Sequence, residues 1–417
     1  MSSSAAKPPF VAIACGGTGG HLFPGLAVAE ELKKRGCDVA LLISPKDVDQ
    51  QAVKSALERR APSRPETDGV HQHAGPAPGA PLEIFTLPAV ALQNRNYLSF
   101  GRSCWQSWRA AKKIFQARPP QAVLAMGGFT SAPPILAGNA FGAKTFLHES
   151  NTIPGRANRF LARFVDEAFI GFPEAAPRLK APKVTITGTP VRAGFVAAGV
   201  SPAAAARLAL GLEPNRPTIL VMGGSQGASG LNEMILSALP LLAKKDWQWL
   251  HLAGTSDFEK VKQAYAARGL KAVVKPFLAE MDLALGAATV SVSRSGASSL
   301  AEIAAMRLPS LLVPYPAAAD NHQFFNASAF VKTGAAKLLE QKNSAPEKVA
   351  ALLAELVESE AARATLQTAL AQWEAPKAAE QIAEIILAAI AQPAKAAHSK
   401  AKKCCCGHAH GPAKHAH

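Results

Sequence analysis

The sequence is poor in aromatic and charged residues, and its cysteines do not form a disulfide framework. Aromatic residues make up 6% of the 417 positions and charged residues 18%. Three of the six cysteines are scattered (Cys15, Cys37 and Cys104) and three form one run at 404–406, which is typical of a reducing compartment. No apolar run approaches the roughly 20 residues of a membrane-spanning helix, and the one near the N-terminus is too short for a signal peptide. We therefore expect a cytosolic chain that does not span a membrane.

Acidic residues are missing from two stretches, and positive charge accumulates there. The formal net charge is +15, from 45 basic and 30 acidic residues. Residues 93–118 carry six basic groups without an acid, and residues 393–417 carry five lysines without an acid. Nucleic acid is the usual partner of so basic a chain. However, aromatic residues are few and no RNA- or DNA-binding signature occurs. An anionic membrane surface or a diphosphate substrate fits better, and we expect no nucleic-acid partner.

What the sequence does contain is a regular alternation of short apolar strands and helical patterns, over a length that suits two α/β domains. The alternation predicts parallel strands joined by crossovers, with a hinge near 187–192. Residues 61–81, rich in Pro, Gly, Ala and His, are typical of a surface insertion. The strand candidates are 10–15, 38–43, 82–87, 122–126, 145–147, 168–171, 184–187, 218–222, 249–253, 272–276, 289–293 and 310–314.

The clearest motif is the turn Gly-Gly-Thr-Gly-Gly at residues 16–20, which His21 follows. It lies between a predicted strand and a predicted helix, and Pro24 suits the first turn of that helix. Glycines at such a junction let main-chain N–H groups approach a phosphate at the helix N-terminus. The spacing excludes a P-loop, and Leu22 stands where a dinucleotide fingerprint needs its third glycine. A tight turn without a ligand is the alternative interpretation.

Two more turns in the first half carry candidate functional groups. Residues 126–131 repeat the strand–Gly–Gly–helix pattern, and residues 148–151 follow the strand at 145–147. Turns of a parallel sheet that follow the carboxyl ends of strands meet in one crevice, so we expect His21, both Gly-Gly turns, Glu149 and Asn151 to lie together. His21 and Glu149 are the ionisable groups there suited to act as a general base, although either could instead cap a helix.

The second half repeats this arrangement, as tandem Rossmann-like domains would. A glycine turn at 223–228 follows the strand at 218–222, and the turn at 294–302 opens a helix whose N-terminus can hold phosphate. Glu302 could accept both hydroxyls of a ribose or could be a solvated helix acid, and its apolar neighbours favour a half-buried position. Residues 320–323 open a further helix with amide and imidazole donors, which an ordinary N-cap explains in part.

The segment 98–115 combines aromatic side chains at helical spacing with flanking basic residues. Two interpretations stay open. The aromatic face packs on the sheet like any amphipathic helix, or it forms a patch at a membrane surface. The residues of this candidate patch are Leu98, Phe100, Trp105, Trp108 and Phe115.

The ordered motifs resemble a bacterial enzyme family that transfers N-acetylglucosamine from its UDP conjugate to undecaprenyl-diphosphate-linked muramoyl pentapeptide. They are GGTGGHLFPGLAVAEEL, MGGFTSAPP, HESNTIPGRANR, GTPVR, GGSQGASGLN, SRSGASSLAEI and DNHQFFNA. The resemblance implies an α/β fold of two Rossmann-like domains facing a cleft (the GT-B arrangement). It implies an acceptor domain at 10–190, a donor domain at 191–373, and a helix at 375–391 that returns to the first domain.

The resemblance also implies roles for individual residues. His21 or Glu149 would be the base, and the acceptor diphosphate would lie near Gly16, Gly17, Gly127 and Gly128. UDP-GlcNAc would be bound by Thr18, Gly19, Gly20, Asn151, Arg192, Ser225, Gln226, Gly227, Phe277, Leu278, Met281, Ala297, Ser298, Ser299, Leu300, Ala301, Glu302 and Gln323. The partners implied are UDP-GlcNAc, undecaprenyl-linked lipid I and an anionic membrane surface at the cytoplasmic face of the inner membrane. Other cell-wall synthesis proteins stay open as partners.

The chain departs from the family pattern at several places. Thr189 stands where the family commonly has Asn, and His322 stands in the place of a Gln. Asp47 and Asp49 resemble the metal-binding Asp-x-Asp of other glycosyltransferases, but acids also suit a first helical turn. We therefore expect no cofactor and recognise no metal site, and a divalent cation stays open as an alternative. The tail 393–417 contains Cys and His that could bind a metal, but a disordered basic tail fits its composition better.

Two other functions stay open. A UDP-N-acetylglucosamine 2-epimerase would share the tandem fold and the donor but would need no lipid acceptor. A non-enzymatic nucleotide-sugar sensor would keep the Glu302 site, yet it would hardly need the glycine clusters of the first half.

Overall fold

A computed structural model describes residues 7–17, 19–46, 50, 82–90, 96–195, 202–224 and 228–392, which form two α/β lobes. Several expectations fall outside these residues. They concern Thr18, the Asp47–Asp49 acids, the insertion 61–81, the glycine-turn residues Ser225, Gln226 and Gly227, and the tail 393–417.

The first lobe is built on a seven-stranded parallel sheet, whose strands are β1 (Phe10–Ala14), β2 (Asp38–Ile43), β3 (Glu83–Thr86), β4 (Ala122–Ala125), β5 (Lys144–Glu149), β6 (Glu167–Ile170) and β7 (Val184–Ile186). Their spatial order is β3-β2-β1-β4-β5-β6-β7. β1 and β4 are buried at every position, as central parallel strands covered by helices on both faces must be. The helices are α1 (Gly19–Lys34), α2 (Tyr97–Ala117), α3 (Ala132–Ala140) and α4 (Arg156–Leu161).

The second lobe is built on a six-stranded parallel sheet, whose strands are β8 (Thr218–Met222), β9 (Gln248–Leu252), β10 (Ala272–Lys275), β11 (Val290–Ser293), β12 (Ser310–Leu312) and β13 (Lys337–Leu338). Their spatial order is β10-β9-β8-β11-β12-β13. The remaining helices are α5 (Ala203–Ala209), α6 (Ser229–Leu242), α7 (Phe258–Ala266), α8 (Met281–Ala287), α9 (Ala297–Ala305), α10 (His322–Lys332), α11 (Pro346–Glu358), α12 (Glu360–Leu370) and α13 (Ala378–Ala391).

Helix α13 follows the second lobe in the chain but packs in the core of the first. Ile382 and Ile386 are fully buried in the cluster that β1 and α1 also form. Arg35 at the end of α1 lies 3.3 Å from a carboxylate oxygen of Glu380 and 3.5 Å from one of Glu384. The chain therefore crosses between the lobes twice, and the return is secured by apolar burial with ion pairs at its rim.

The two crossings touch each other at Gly188. A Cβ on this residue would lie 2.2 Å from the Cβ of Ala375, and its φ of +76° is one that a side chain disfavours. Beside it, the indole of Trp373 stacks on Phe330 with ring centroids 4.4 Å apart and meets Phe172 at 5.3 Å. The connection between the lobes is therefore closely packed.

The structure differs from the sequence-based expectations at four elements. β5 continues through His148 and Glu149, which were expected in a loop, and the short strand β13 was not predicted. Helix α1 begins at Gly19, so the expectation that Pro24 lies in its first turn is wrong, and Pro24 is its sixth residue. Phe115 is 0% exposed in the core beneath α2, so its assignment to a membrane patch is also wrong.

The second lobe contains a buried polar network around His251 that was not predicted from the sequence. His251 in β9 is fully buried, with Nε2 2.9 Å from Asn232 Oδ1 and Nδ1 3.1 Å from the hydroxyl of Tyr265. The Asn232 amide in turn donates to Ala253 O and to Asp257 Oδ2. A neutral imidazole satisfies both contacts, with Nε2–H donating and Nδ1 accepting. Burial lowers the pKa of His251 from 6.5 to about 3.

This network predicts acid-sensitive folding. The folded pKa of His251 lies below the unfolded value, so the unfolded chain binds one more proton between pH 6.5 and about 3. Its contribution is complete above pH 6.5 and is lost as the pH falls, with a slope of up to about 1.4 kcal/mol per pH unit. Urea unfolding at pH 4.5, 5.5, 6.5 and 7.5 measures it. We expect His251→Gln to flatten the dependence by about one proton, and equal slopes for both proteins would contradict the assignment.

Candidate active site in the cleft between the lobes

The lobes enclose a cleft of about 1740 Å³ that the carboxyl ends of strands from both sheets line. In each sheet the strand order reverses direction next to the first strand, between β1 and β4 and between β8 and β11. Open parallel sheets bind ligands at such switch points. The turns after these four strands are the glycine turns and the 294–302 turn singled out from the sequence.

Most of the predicted site residues line this one cleft. From the first lobe they are Gly19, Gly20, His21, Gly128, Glu149 and Asn151, together with Phe100 of α2. From the hinge and the second lobe they are Arg192, Phe277, Leu278, Met281, Ala297, Ser298, Ser299, Glu302 and Gln323. His21 and Glu302 therefore face a shared cleft, as the two-lobe interpretation requires.

Five predicted site residues lie elsewhere. Leu300 is fully buried in the core of the second lobe, and Ala301 lines a small cavity on the other side of α9. Gly16, Gly17 and Gly127 are buried beneath the turns, because the rings of Phe129 and His21 cover Gly17 and Gly127. The expected contacts of these five residues with a ligand in the cleft are corrected accordingly.

The second Gly-Gly turn packs directly against the imidazole of His21. A Cβ on Gly127 would lie 2.9 Å from the His21 Cε1 and Nδ1 atoms, and one on Gly128 would lie 3.1 Å from Cδ2. Both glycines have positive φ, +103° and +79°. Glycine is needed at both positions, because any side chain would displace the imidazole or strain the turn. The turn after β4 therefore fixes the position of His21.

Glu149 organises a loop. Its side chain is 2% exposed, and Oε1 accepts from the backbone N–H and the side-chain amide of Asn151, at 2.8 and 3.0 Å. Oε2 accepts from the backbone N–H of Gly155 and the amide of Asn158, both at 2.9 Å. Four donors occupy both carboxylate oxygens, so this group holds the loop that carries Asn151.

A buried amide joins this loop to the second lobe. Asn326 of α10 is fully buried, and its Oδ1 accepts from the backbone N–H and the hydroxyl of Thr152, at 2.9 and 3.0 Å. Its amide nitrogen donates to Asn151 Oδ1 at 3.0 Å and to Ser295 O at 3.2 Å. All four hydrogen-bonding positions of the amide are filled, which fixes the floor of the cleft across the two lobes.

Arg192 and Glu302 form an ion pair at the centre of the cleft. Arg192 Nη2 lies 3.3 Å from Glu302 Oε1, and its guanidinium lies over the rings of Phe23, at 4.4 Å, and Phe195, at 5.1 Å. Burial raises the pKa of Glu302, and the nearby Arg192 charge opposes that shift. Within the described part of the chain, the Nε–H of Arg192 is buried without an acceptor. The arginine therefore retains a donor for a further ligand atom.

The second lobe offers an apolar rim and a helix N-terminus. Leu278 is buried, Phe277 is half-exposed and Met281 begins α8, and all three line the cleft. Helix α9 starts next to Gly296, so its first N–H groups and its positive dipole end lie at the cleft. Gln323 accepts from the backbone N–H of Tyr315 through Oε1 at 2.9 Å. Such a site suits a flat base joined to a diphosphate.

Phe23, Arg294 and Asn326 belong to the site but were not predicted from the sequence. Arg294 is buried beside the cleft and donates to the carbonyls of Val313 and Pro314 and to Gln341. Its place directly after strand β11 was the available signal. Asn326 lies three residues after Gln323, so helical spacing places both on one face of α10.

Among the residues that the structure describes, no group of three or more His, Cys, Asp or Glu side chains is placed to hold a metal ion. Within the same residues, no helix is both long and apolar enough to cross a bilayer.

Comparison with known domains and proteins assigns the chain to a family. The glycosyltransferase family 28 N-terminal domain matches residues 11–170, and the family 28 C-terminal domain matches residues 218–382. A protein of Anaeromyxobacter sp. (strain K) is 34% identical over 90% of this chain and 91% of its own length. A protein of Xanthomonas axonopodis pv. citri (strain 306) is 37% identical over 90% of this chain and 81% of its own.

Solved structures agree with this assignment. The crystal structure of Acinetobacter baumannii MurG superposes with a TM-score of 0.67 at 25% identity, covering 91% of this chain and all of that one. A UDP-N-acetylglucosamine 2-epimerase superposes with a TM-score of 0.64 at 16% identity, over 92% of this chain and 96% of its own, which shows a shared fold only. The two curated relatives are both named UDP-N-acetylglucosamine–N-acetylmuramyl-(pentapeptide) pyrophosphoryl-undecaprenol N-acetylglucosamine transferase. With two facing Rossmann-like lobes of the GT-B fold, the chain belongs to this family of glycosyltransferases.

Proposed function

We propose that the chain moves N-acetylglucosamine from UDP-GlcNAc to the C4 hydroxyl of undecaprenyl-diphosphate-linked muramoyl pentapeptide, with inversion at the anomeric carbon. The observation that carries the proposal is the shared cleft, which joins the His21 turn of one lobe to the Glu302 helix of the other. A cleft of about 1740 Å³ has room for a sugar nucleotide and the end of a second substrate. The names of the relatives state the same two substrates.

The reaction is a direct displacement. The muramoyl O4 forms a bond to the anomeric carbon, and the bond from that carbon to the β-phosphate oxygen breaks. The electron pair leaves with UDP, and the hydroxyl proton passes to a base on the protein. Negative charge grows on the leaving diphosphate, so the helix α9 N-terminus and Arg192 act where the transition state differs most from the substrates.

His21 is the base in this proposal. Glu149 was the alternative, but its two oxygens already accept four hydrogen bonds that hold a loop. His21 lines the cleft from the first turn of α1, and the glycines after β4 fix its ring. Imidazole is the side chain that proteins use most often for general acid–base catalysis.

UDP-GlcNAc, the sugar donor, replaces the contact between Arg192 and Glu302 with contacts of its own. Arg192 binds the diphosphate, and Glu302 binds the ribose hydroxyls. In the free protein the two side chains neutralise each other at 3.3 Å. Binding of UDP-GlcNAc replaces this contact with a phosphate for the cation and hydroxyls for the carboxylate, so neither buried charge is left alone. Leu278 and its neighbours face the uracil, Gln323 and Asn151 bind the sugar, and Gly128 lies nearest the acceptor diphosphate.

The acceptor is a membrane lipid, so the first lobe docks on the cytoplasmic face of the inner membrane. Leu98 is 88% exposed and Trp105 53% exposed on α2, and the Arg109 guanidinium lies 4.8 Å from the Trp105 ring centroid. Trp108 is half-buried, and Phe100 lines the cleft. Apolar side chains beside arginines suit an anionic headgroup layer. The patch therefore lies next to the cleft that receives the lipid diphosphate.

Transfer of label tests the function. Purified protein is incubated with radiolabelled UDP-GlcNAc and a lipid I analogue, and we expect label in the lipid fraction with release of UDP. Label appearing as free N-acetylmannosamine without an acceptor would instead indicate a 2-epimerase. Binding of UDP-GlcNAc without turnover would indicate a sensor. Either result would overturn the proposal.

Variants of the two candidate bases separate catalysis from positioning. His21→Gln removes the base, so we expect kcat to fall about 100-fold or more while the Kd for UDP changes less than about twofold. Glu149→Gln replaces an acceptor with an amide that repels the N–H of Gly155 or the amide of Asn158. We expect it to lower the melting temperature and raise KM. Equal losses of kcat and UDP affinity in His21→Gln would remove its catalytic role.

Vesicle sedimentation tests the membrane patch. We expect the double variant Leu98→Ser with Trp105→Ser to bind phosphatidylglycerol vesicles about tenfold or more weakly, because two large apolar side chains no longer enter the headgroup layer. Binding of the unchanged protein weakens as salt rises. The matched control is Leu241→Ser, since Leu241 is 50% exposed on α6 of the second lobe. A similar loss in the control, or none in the double variant, would place the membrane contact elsewhere.

A further inference from the structure

Pro24 lies inside helix α1, where a proline leaves a backbone acceptor without its usual donor. The helix runs from Gly19, and Pro24 is buried in its second turn. In a regular helix the N–H of position 24 would donate to the carbonyl four residues earlier, which belongs to Gly20. Proline has no N–H, and its ring pushes that carbonyl away from the helix axis. The Gly20 carbonyl is therefore available to a donor from outside the helix.

The second lobe supplies that donor. Ser298, the second residue of α9, donates its hydroxyl to Gly20 O at 2.9 Å. The two residues are 278 positions apart in the chain, and both line the cleft. The hydrogen bond therefore joins the first turn of α1 to the first turn of α9, across the cleft that would hold both substrates.

A second link between the same two helices lies beside the first and runs through Arg192 of the hinge. Phe23 is three residues after Gly20, and its ring lies 4.4 Å from the guanidinium carbon of Arg192. Arg192 pairs with Glu302, which is four residues after Ser298 and hence on the same face of α9. One face of α1 thus meets one face of α9 directly at the Ser298–Gly20 bond, and indirectly through the Arg192 guanidinium. The charged point changes when UDP-GlcNAc enters, whereas the Ser298–Gly20 bond joins a hydroxyl to a carbonyl and involves no charged group.

We propose that Pro24 and Ser298 are positioning residues, because together they make a hydrogen bond between the lobes that sets His21 against the donor diphosphate. This inference rests on the proposed function. His21 directly follows Gly20, so anchoring Gly20 to α9 fixes the base relative to the helix N-terminus that binds the leaving group. A loss of this bond leaves both half-sites intact but lets their separation vary, and displacement reactions are sensitive to such misplacement.

The test is a double-mutant cycle, with variants that change little volume. Ser298→Ala removes the donor. Pro24→Ala restores an N–H to position 24 and draws the Gly20 carbonyl back to the helix axis. We expect each single variant to lower kcat/KM roughly three- to tenfold, mainly through kcat. We expect Ser298→Ala to cause no further loss in the Pro24→Ala background, because the bond is already gone. Ser298→Thr keeps the hydroxyl and is expected to retain activity.

Matched controls come from helix α6. Pro240 also lies inside a helix, and the hydroxyl of Ser237 donates to the Met234 carbonyl within the same helix. Neither residue lines the cleft. We expect Pro240→Ala and Ser237→Ala to leave kcat/KM unchanged. Independent, multiplying losses for Pro24→Ala and Ser298→Ala would show that each acts on its own helix, and would overturn the proposal.

Amide hydrogen exchange of the free protein gives a readout that needs no turnover. We expect Ser298→Ala to raise exchange in the first turns of both α1 and α9 by roughly three- to tenfold, and Ser237→Ala to leave these amides unchanged. If the free protein loosens in this way but transfers no sugar, the inter-lobe bond stands and the proposed function fails. If transfer proceeds while exchange and kcat/KM are unaffected in Ser298→Ala, the function stands and the role of the bond is refuted.

Discussion

The cleft depends on the direction of the strands. Each sheet is parallel throughout, so every turn from a strand to the next helix leaves the sheet at the same edge. In both lobes these edges border one space, and residues far apart in the chain come together there. If the two central strands of either sheet were antiparallel, the turn after one of them would lie at the opposite edge. The glycine turns after β1 and β4, and the start of α9 after β11, could then not share a ligand.

The polar side chains at the cleft fall into two groups. In one group every hydrogen-bonding position is filled by the protein, and in the other a donor has no acceptor. Glu149 and Asn326 have all their hydrogen-bonding positions filled by the protein, so they hold loops in fixed places. Arg192 is half-buried beside two aromatic rings, and its buried Nε–H meets no acceptor within the described residues. A buried guanidinium with an unmet donor is costly, and an incoming phosphate oxygen removes that cost. Whether its hydrogen-bonding positions are filled therefore distinguishes a structural side chain from a ligand-binding one better than its residue type does.

The sequence was informative where a pattern is local. Apolar runs between helical patterns located strands such as β2 and β8. The glycine turns were recognisable because several glycines stand together there, which the structure explains by the rings packed against them. It was uninformative where the partner is distant. Whether Glu149 is a base or a loop anchor depends on donors at Gly155 and Asn158, and whether Phe115 faces lipid or core depends on how α2 rotates on the sheet. Both follow from tertiary packing, which spacing along one segment does not record.

The position of Pro24 shows how a local cost can serve the whole assembly. A proline in the sixth position of a helix costs a hydrogen bond that alanine would make, and helix propensity alone selects against it. Here the Gly20 carbonyl accepts a hydrogen bond from the Ser298 hydroxyl of the other lobe instead. The hydrogen bond that α1 lacks is thus replaced by one between two helices. Beside this bond, Arg192 of the hinge lies over the Phe23 ring and pairs with Glu302, and the proposed function requires that pair to open for the nucleotide. The neutral bond beside it can keep the lobes aligned during that exchange, since the charged pair cannot both open for the nucleotide and hold the lobes together.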